Sequence, residues 1–113
     1  MSVSHEDAVR GVIDESADAV EQKQGVAIEW EARDQLAKSA LAQKKFHTEL
    51  DANESAALEK LRVAAKSVFE AAAAVAASEQ QQFAFAGGGE SPPPTVSVEV
   101  LFQIRWPYPI GPA

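Results

Sequence analysis

Apolar side chains recur along the first four-fifths of the chain at helical spacing. Val9, Ile13, Ala17 (or its neighbour Ser16) and Val20 follow steps close to four and three, a narrow stripe suited to a helical partner. The pattern continues through Ile28, Trp30, Leu36, Ala40, Leu41 and Phe46. After Leu50 it resumes as Ala57, Leu61, Ala64, Val68, Ala71 and Val75, widened by Leu58, Ala65, Phe69 and Ala72 to the breadth of a bundle helix. From Ser4 to Gln82 there is no proline, only Gly11 and Gly25 interrupt, and good helix formers dominate. Helix is expected nearly throughout this region.

Two places can break it. Lys23 before Gly25, with Val26 after, resembles a Schellman stop, although no short polar residue follows to restart a helix. The stretch LDANES, Leu50 to Ser55, offers Asp51 and Asn53 as caps. Unbroken, the region forms one rod of roughly 120 Å at ~1.5 Å per residue. Broken at both points, it forms a two- or three-helix bundle or coiled coil. Ser4 and Asp7 resemble a capping box at the start. The alanine run EAAAAVAAS, Glu70 to Ser78, presents a thin surface that lets a neighbour approach closely.

The pattern changes period near the C-terminus. In TVSVEVLFQIRW, Thr95 to Trp106, residues Val96, Val98, Val100, Phe102, Ile104 and Trp106 alternate with polar ones, and only Leu101 breaks the rule. Strict alternation predicts a half-buried β-strand. The expected organisation is a helical oligomerisation region over 1–82, a Gly/Pro linker over 83–94, a strand tail over 95–106 and a proline-rich end over 107–113. A lone strand leaves both edges open, and no second strand is evident in the chain. The tail is therefore expected to pair between chains, or to add to another protein's sheet. Its apolar face and Tyr108, together with Trp30, Leu61 and Val68 on the helices, are the expected inter-subunit or partner-binding residues.

Composition narrows the function. Alanine supplies much of the 46% hydrophobic content, so apolar area per residue is low and oligomerisation is a natural remedy. A net charge of −7 argues against a nucleic-acid partner. There is no cysteine, which excludes disulfides and thiolate metal sites. The first residues lack the basic and apolar regions of a Sec signal, and no run reaches the ~18 apolar residues of a membrane span, so cytoplasmic synthesis is expected. Charge is uneven. Residues 1–22 hold six acids against Arg10, whereas 23–66 hold eight bases against seven acids. The acidic first helix is expected either to lie against the Lys38–Lys45 region or simply to face solvent. Glu29 with Arg33 and Asp34 with Lys38 are expected helical ion pairs.

Candidate chemistry is sparse. His5 and His47 lie far apart without metal-ligand spacing and are expected to be exposed on helices. Asp14, Glu15, Asp18 and Glu21 form an acidic face without the loop of an EF-hand. No phosphate-binding or nucleophile motif appears, so neither cofactor nor metal nor enzymatic activity is expected. The sequence points instead to a structural, self-assembling protein of the kind found in filaments, fibres, shells or phage-type appendages. The alternatives are an oligomeric adaptor that recruits a partner by strand addition, and an amphipathic coat on a granule surface.

Overall fold

A computed structural model describes residues 5–84 and 93–104. The chain is mainly helical. Helix α1 (His5–Gln24) stops at Gly25, whose φ of +66° is accessible to glycine at little cost. The Gly25 N–H donates to the Glu21 carbonyl at 2.9 Å, so the helix stops at the glycine read from the sequence, through the simpler αL bond and not the Schellman pair. A short strand β1 (Ala27–Ile28) follows in place of resumed helix, then α2 (Trp30–Leu41). A turn at Ala42–Gln43 leads into α3 (Lys44–Ala52); Gln43 is extended and gives no side-chain cap. Asn53 separates α3 from α4 (Glu54–Ala84), and its Oδ1 accepts the Ala56 N–H at 3.2 Å. Strand β2 (Thr95–Val96) and the single-turn α5 (Val98–Leu101) complete the described fold. Ser4 of the expected capping box lies outside the described residues.

Ion pairs give the helix directions. His5 meets Glu54, Glu15 meets Arg62 and Lys23 meets Glu70, so α1 and α4 run parallel, offset by about 47–49 residues. Arg10 meets Asp34 while Arg33 meets Asp14, Asp18 and Glu21, so α1 and α2 run antiparallel. Because the chain doubles back at Gly25 and turns again at Ala42–Asn53, its longest dimension is 53 Å, far short of a single rod.

The core follows the apolar stripes. Val9, Ile13, Ala17 and Val20 of α1 pack with Leu36 and Ala40 of α2, Phe46 and Leu50 of α3, and Leu61, Ala65, Val68 and Phe69 of α4. Leu61 and Val68, expected at a seam between chains, are thus buried within one chain. Two buried serines sit among these residues, and each bonds back into its own helix: Ser16 to the Val12 carbonyl and Ser39 to the Leu36 carbonyl, both at 2.8 Å. Among the described residues, no buried side-chain polar atom lacks a partner.

The tail departs from its expected form. Of its described residues only Thr95 and Val96 are strand, and they pair in parallel with Ala27 and Ile28 of the same chain. The Ala27 N–H donates to the Pro94 carbonyl at 2.9 Å, and the Glu29 N–H to the Val96 carbonyl at 3.1 Å. The far edge of β1 is closed too, because the Ile28 N–H donates to a Glu21 carboxylate oxygen at 2.7 Å. Ser97 then caps a helical turn by accepting the Val100 N–H, so residues 98–101 are helical and not extended. The physical reason is burial. Val96, Val100 and Leu101 lie in the core and Ile104 packs on it, a set that a turn of helix after Val96 brings to one side. Val98 is half-buried, and Phe102, expected on the apolar face, is exposed. Trp106 and Tyr108 lie outside the described residues, as does most of the Gly/Pro linker.

These last elements also account for the alanine run. α1 ends opposite Glu70 and α3 lies at the start of α4, so β2 and α5 are the elements packed on the later part of α4. Ala72, Ala73 and Ala76 are buried there, and Gln103 Nε2 donates to Glu79 Oε1 at 3.5 Å. Close approach was the expected use of these small side chains. The neighbour, however, is the chain's own C-terminal segment.

Candidate protein-contact surface

The acidic face of α1 finds its cation in α2. Arg33 Nη1 lies 2.9 Å from Asp18 and 3.2 Å from Asp14, Nη2 lies 3.1 Å from Glu21, and Nε donates to the Ile28 carbonyl at 3.3 Å. One guanidinium thereby ties α1, β1 and α2 together, a geometry suited to its planar fork of donors. Burial pulls the Arg33 pKa down. The hydrogen bonds it donates to Asp14 and Asp18, and the charge of Glu21, outweigh that and raise it, so the group stays charged. The expected Glu29–Arg33 pair is replaced by this arrangement, because Glu29 stands before the first turn of α2. For Asp14, Asp18 and Glu21 the cation is thus Arg33 and not the Lys38–Lys45 region.

Beside Arg33 lies a second cluster. Arg10 Nη1 donates to Asp34 Oδ1 at 2.6 Å, Asp34 Oδ2 also receives Lys38 at 3.1 Å as the sequence suggested, and Arg10 Nε reaches Glu6 at 3.4 Å. The bond to Asp34 raises the Arg10 pKa, and the bonds from Arg10 and then Lys38 lower that of Asp34. Together the two clusters wall a cleft of about 250 Å³ between α1 and α2. Its floor is apolar, made by the buried Ile13 and Ala37, and its other lining residues are Arg10, Asp14, Arg33, Asp34 and Trp30. Trp30 is 70% exposed, the most open of the large apolar side chains described. Trp30 is therefore not part of this chain's own core. Val63 and Phe102 are the other exposed large apolar residues among those described, on α4 and just past α5.

Of the expected contact residues, the fold leaves Trp30 and Phe102 at the surface, half-covers Val98 and Ile104, and buries Val96, Val100, Leu61 and Val68. The cleft itself was not legible, because it depends on the antiparallel return of α2, which brings Asp34 and Ala37 beside Arg10 and Ile13. The hint available in the sequence was a tryptophan flanked by Glu29 and Glu31. Among the described residues no group of three or more His, Asp or Glu side chains is placed to hold a metal ion, and none of the described helices is long and apolar enough to cross a membrane.

His5 forms a separate feature at the other end. Its Nδ1 stands 2.9 Å from Glu54 and its Nε2 2.9 Å from Asp51, so the ring ties the start of α1 to the α3–α4 junction. Neutral imidazole has one N–H, and only the protonated ring can donate to both carboxylates. The bond to Asp51, then that to Glu54, raises the His5 pKa above its ordinary 6.5. A folded-state value above the unfolded one gives a contribution fully present below about pH 6.5 and lost as pH rises through the raised value. The His5 ring is therefore expected to titrate above 6.5 by NMR, and to return to that value in an Asp51→Asn, Glu54→Gln variant. Titration of His5 at or below 6.5 in the wild-type chain would show that the two bonds do not form in solution. His47 has a different role, with Nε2 2.7 Å from the Leu41 carbonyl across the α2–α3 turn. Neither histidine is the simply exposed group expected from sequence.

Comparison with protein-family models, with curated proteins and with solved structures finds no match for the chain.

Proposed function

We propose that this protein is a non-enzymatic structural component that assembles with copies of itself, using its helical body as a preformed unit and surface aromatic residues as contacts. The observation that carries this reading is Trp30, left 70% exposed over an apolar floor. Tryptophan is costly to leave in water and is enriched at the energetic centres of protein interfaces. The charges around it are held in ion pairs with one another, so the cleft offers a shaped, polar rim around an apolar floor. The apolar face of the first half of the tail is not open to a neighbour, since Val96, Val100 and Leu101 lie in the chain's own core. What remains for connecting copies is the helical surface and the residues that follow α5.

Sedimentation velocity over a wide concentration range tests this directly. The mass is expected to rise with concentration, ordered particles are expected in negative-stain micrographs, and Trp30→Ser is expected to weaken both without loss of helical circular dichroism. A chain that remains monomeric at every concentration sinks the assembly reading and favours an adaptor that acts through a different protein.

A further inference from the structure

We propose that the Trp30 cleft is the receptor for residues 105–113 of a neighbouring copy, an inference that rests on the self-assembly reading above. The segment is RWPYPIGPA, with prolines at 107, 109 and 112, aromatic residues at 106 and 108, one cation at 105 and no acid. Proline at alternate or third positions favours the polyproline geometry, which carries little conformational entropy to lose on binding. Such segments dock on grooves walled by exposed aromatic rings, where ring faces meet proline edges. The cleft has that composition, with the Trp30 indole as wall and Ile13 and Ala37 as floor.

Charge agrees. The ion-pair network around the cleft holds five carboxylates, Glu6, Asp14, Asp18, Glu21 and Asp34, to three cations, Arg10, Arg33 and Lys38. That excess of two negative charges suits a segment whose single charged side chain is Arg105. Asp14 and Asp18 are also among the most open of these carboxylates, so each can accept a further donor while keeping Arg33.

Length and exit point favour a neighbour over the same chain. Nine residues in polyproline geometry reach about 28 Å at ~3.1 Å per residue. α5 packs against α2 and α4, and Gln103 is tied to Glu79 late on α4, whereas the cleft opens between α1 and α2. A tail entering its own cleft would first cross α2, spending residues that the cleft needs. A neighbour's tail enters at full length, and because donor and receptor surfaces differ, each copy can give one tail and receive another, as open or ring assemblies require.

The full chain carrying Trp106→Phe has Trp30 as its sole tryptophan, so fluorescence reads the cleft alone. As concentration rises and the sedimenting mass grows, Trp30 emission is expected to shift to the blue, and quenching by acrylamide is expected to fall several-fold. Adding Arg105→Glu and Pro109→Asp to the same chain is expected to keep Trp30 exposed at all concentrations, with helical circular dichroism unchanged. Assembly with Trp30 still exposed overturns the inference while the assembly reading stands. Shielding that survives the tail substitutions overturns it as well, because another surface then covers the ring. Shielding in a chain that stays monomeric places the tail in its own cleft and overturns both readings. A monomer with Trp30 exposed throughout also overturns both.

Discussion

Replacing Leu101 by alanine is expected to lower the free energy of unfolding by about 2–5 kcal/mol, whereas replacing its neighbour Phe102 is expected to change it by no more than about 0.5 kcal/mol. Leu101 is 1% exposed and belongs to the same core as Val96, Val100 and the faces of α1 and α4. Truncation there removes three carbons of buried side chain and leaves a cavity at the point where α5 closes over α2 and α4. Phe102 is 56% exposed and loses little apolar burial on truncation. The contrast is sharp because an extended strand gives the opposite order, with Phe102 on the covered side and Leu101 facing out. Urea unfolding at low concentration, followed by far-ultraviolet circular dichroism, measures both. A larger loss for Phe102→Ala than for Leu101→Ala would overturn the helical turn at 98–101. A loss seen only at high concentration would show that the tail is covered by another chain instead of its own.

That reversal also shows how much could be read in advance. The helical stripes were legible because each residue of Val9, Ile13, Leu36, Phe46, Leu61 and Phe69 repeats the same geometry, and error at one position is corrected by the next. Gly25 and Asn53 were legible because left-handed backbone and side-chain capping each favour a small set of residue types. The turn at Ala42–Gln43 was not, since Gln43 gives no side-chain cap and neither residue favours a turn by type. Strand β1 was hidden for a different reason. Two residues carry no period, and Ala27 and Ile28 become a strand only because Thr95 and Val96, 68 positions later, supply the partner. In the tail, two periods fit the same valines. Val96, Val98 and Val100 alternate as a strand does, but Val96, Val100, Leu101 and Ile104 follow steps of four, one and three, as a helical face does. Leu101, the one exception to the alternation, was the residue that distinguished them. Of the candidate surface, Trp30 was identified by type and context, while Ile13, Ala37 and the ion pairs around it required the antiparallel pairing of α1 with α2.

Substituting Arg33 by methionine is expected to destabilise the fold by about 1–3 kcal/mol and to open the Trp30 cleft at the same time. The Arg33 side chain is only 17% exposed, so its removal strands the Ile28 carbonyl and brings Asp14, Asp18 and Glu21 together without a counter-charge. Those carboxylates are more open to water, which is why the figure stands below the cost of breaking a fully buried pair. Methionine keeps most of the stem's packing, so the change reads the charge and its hydrogen bonds. A double-mutant cycle with Glu21→Gln separates the two. Glutamine still accepts the Ile28 N–H through its carbonyl oxygen but no longer repels Asp14 and Asp18, so it is expected to harm the wild-type chain more than the Arg33→Met chain. The coupling expected for groups in one network is about 0.5–3 kcal/mol. Additivity within error would mean that Arg33 and Glu21 act independently and that the guanidinium does not hold the β1 turn against α1. If they are coupled, Arg33 positions the wall of the cleft. Its loss is then expected to weaken self-association even at temperatures where the helices remain fully formed, and sedimentation velocity of the Arg33→Met chain below its unfolding transition reads that directly.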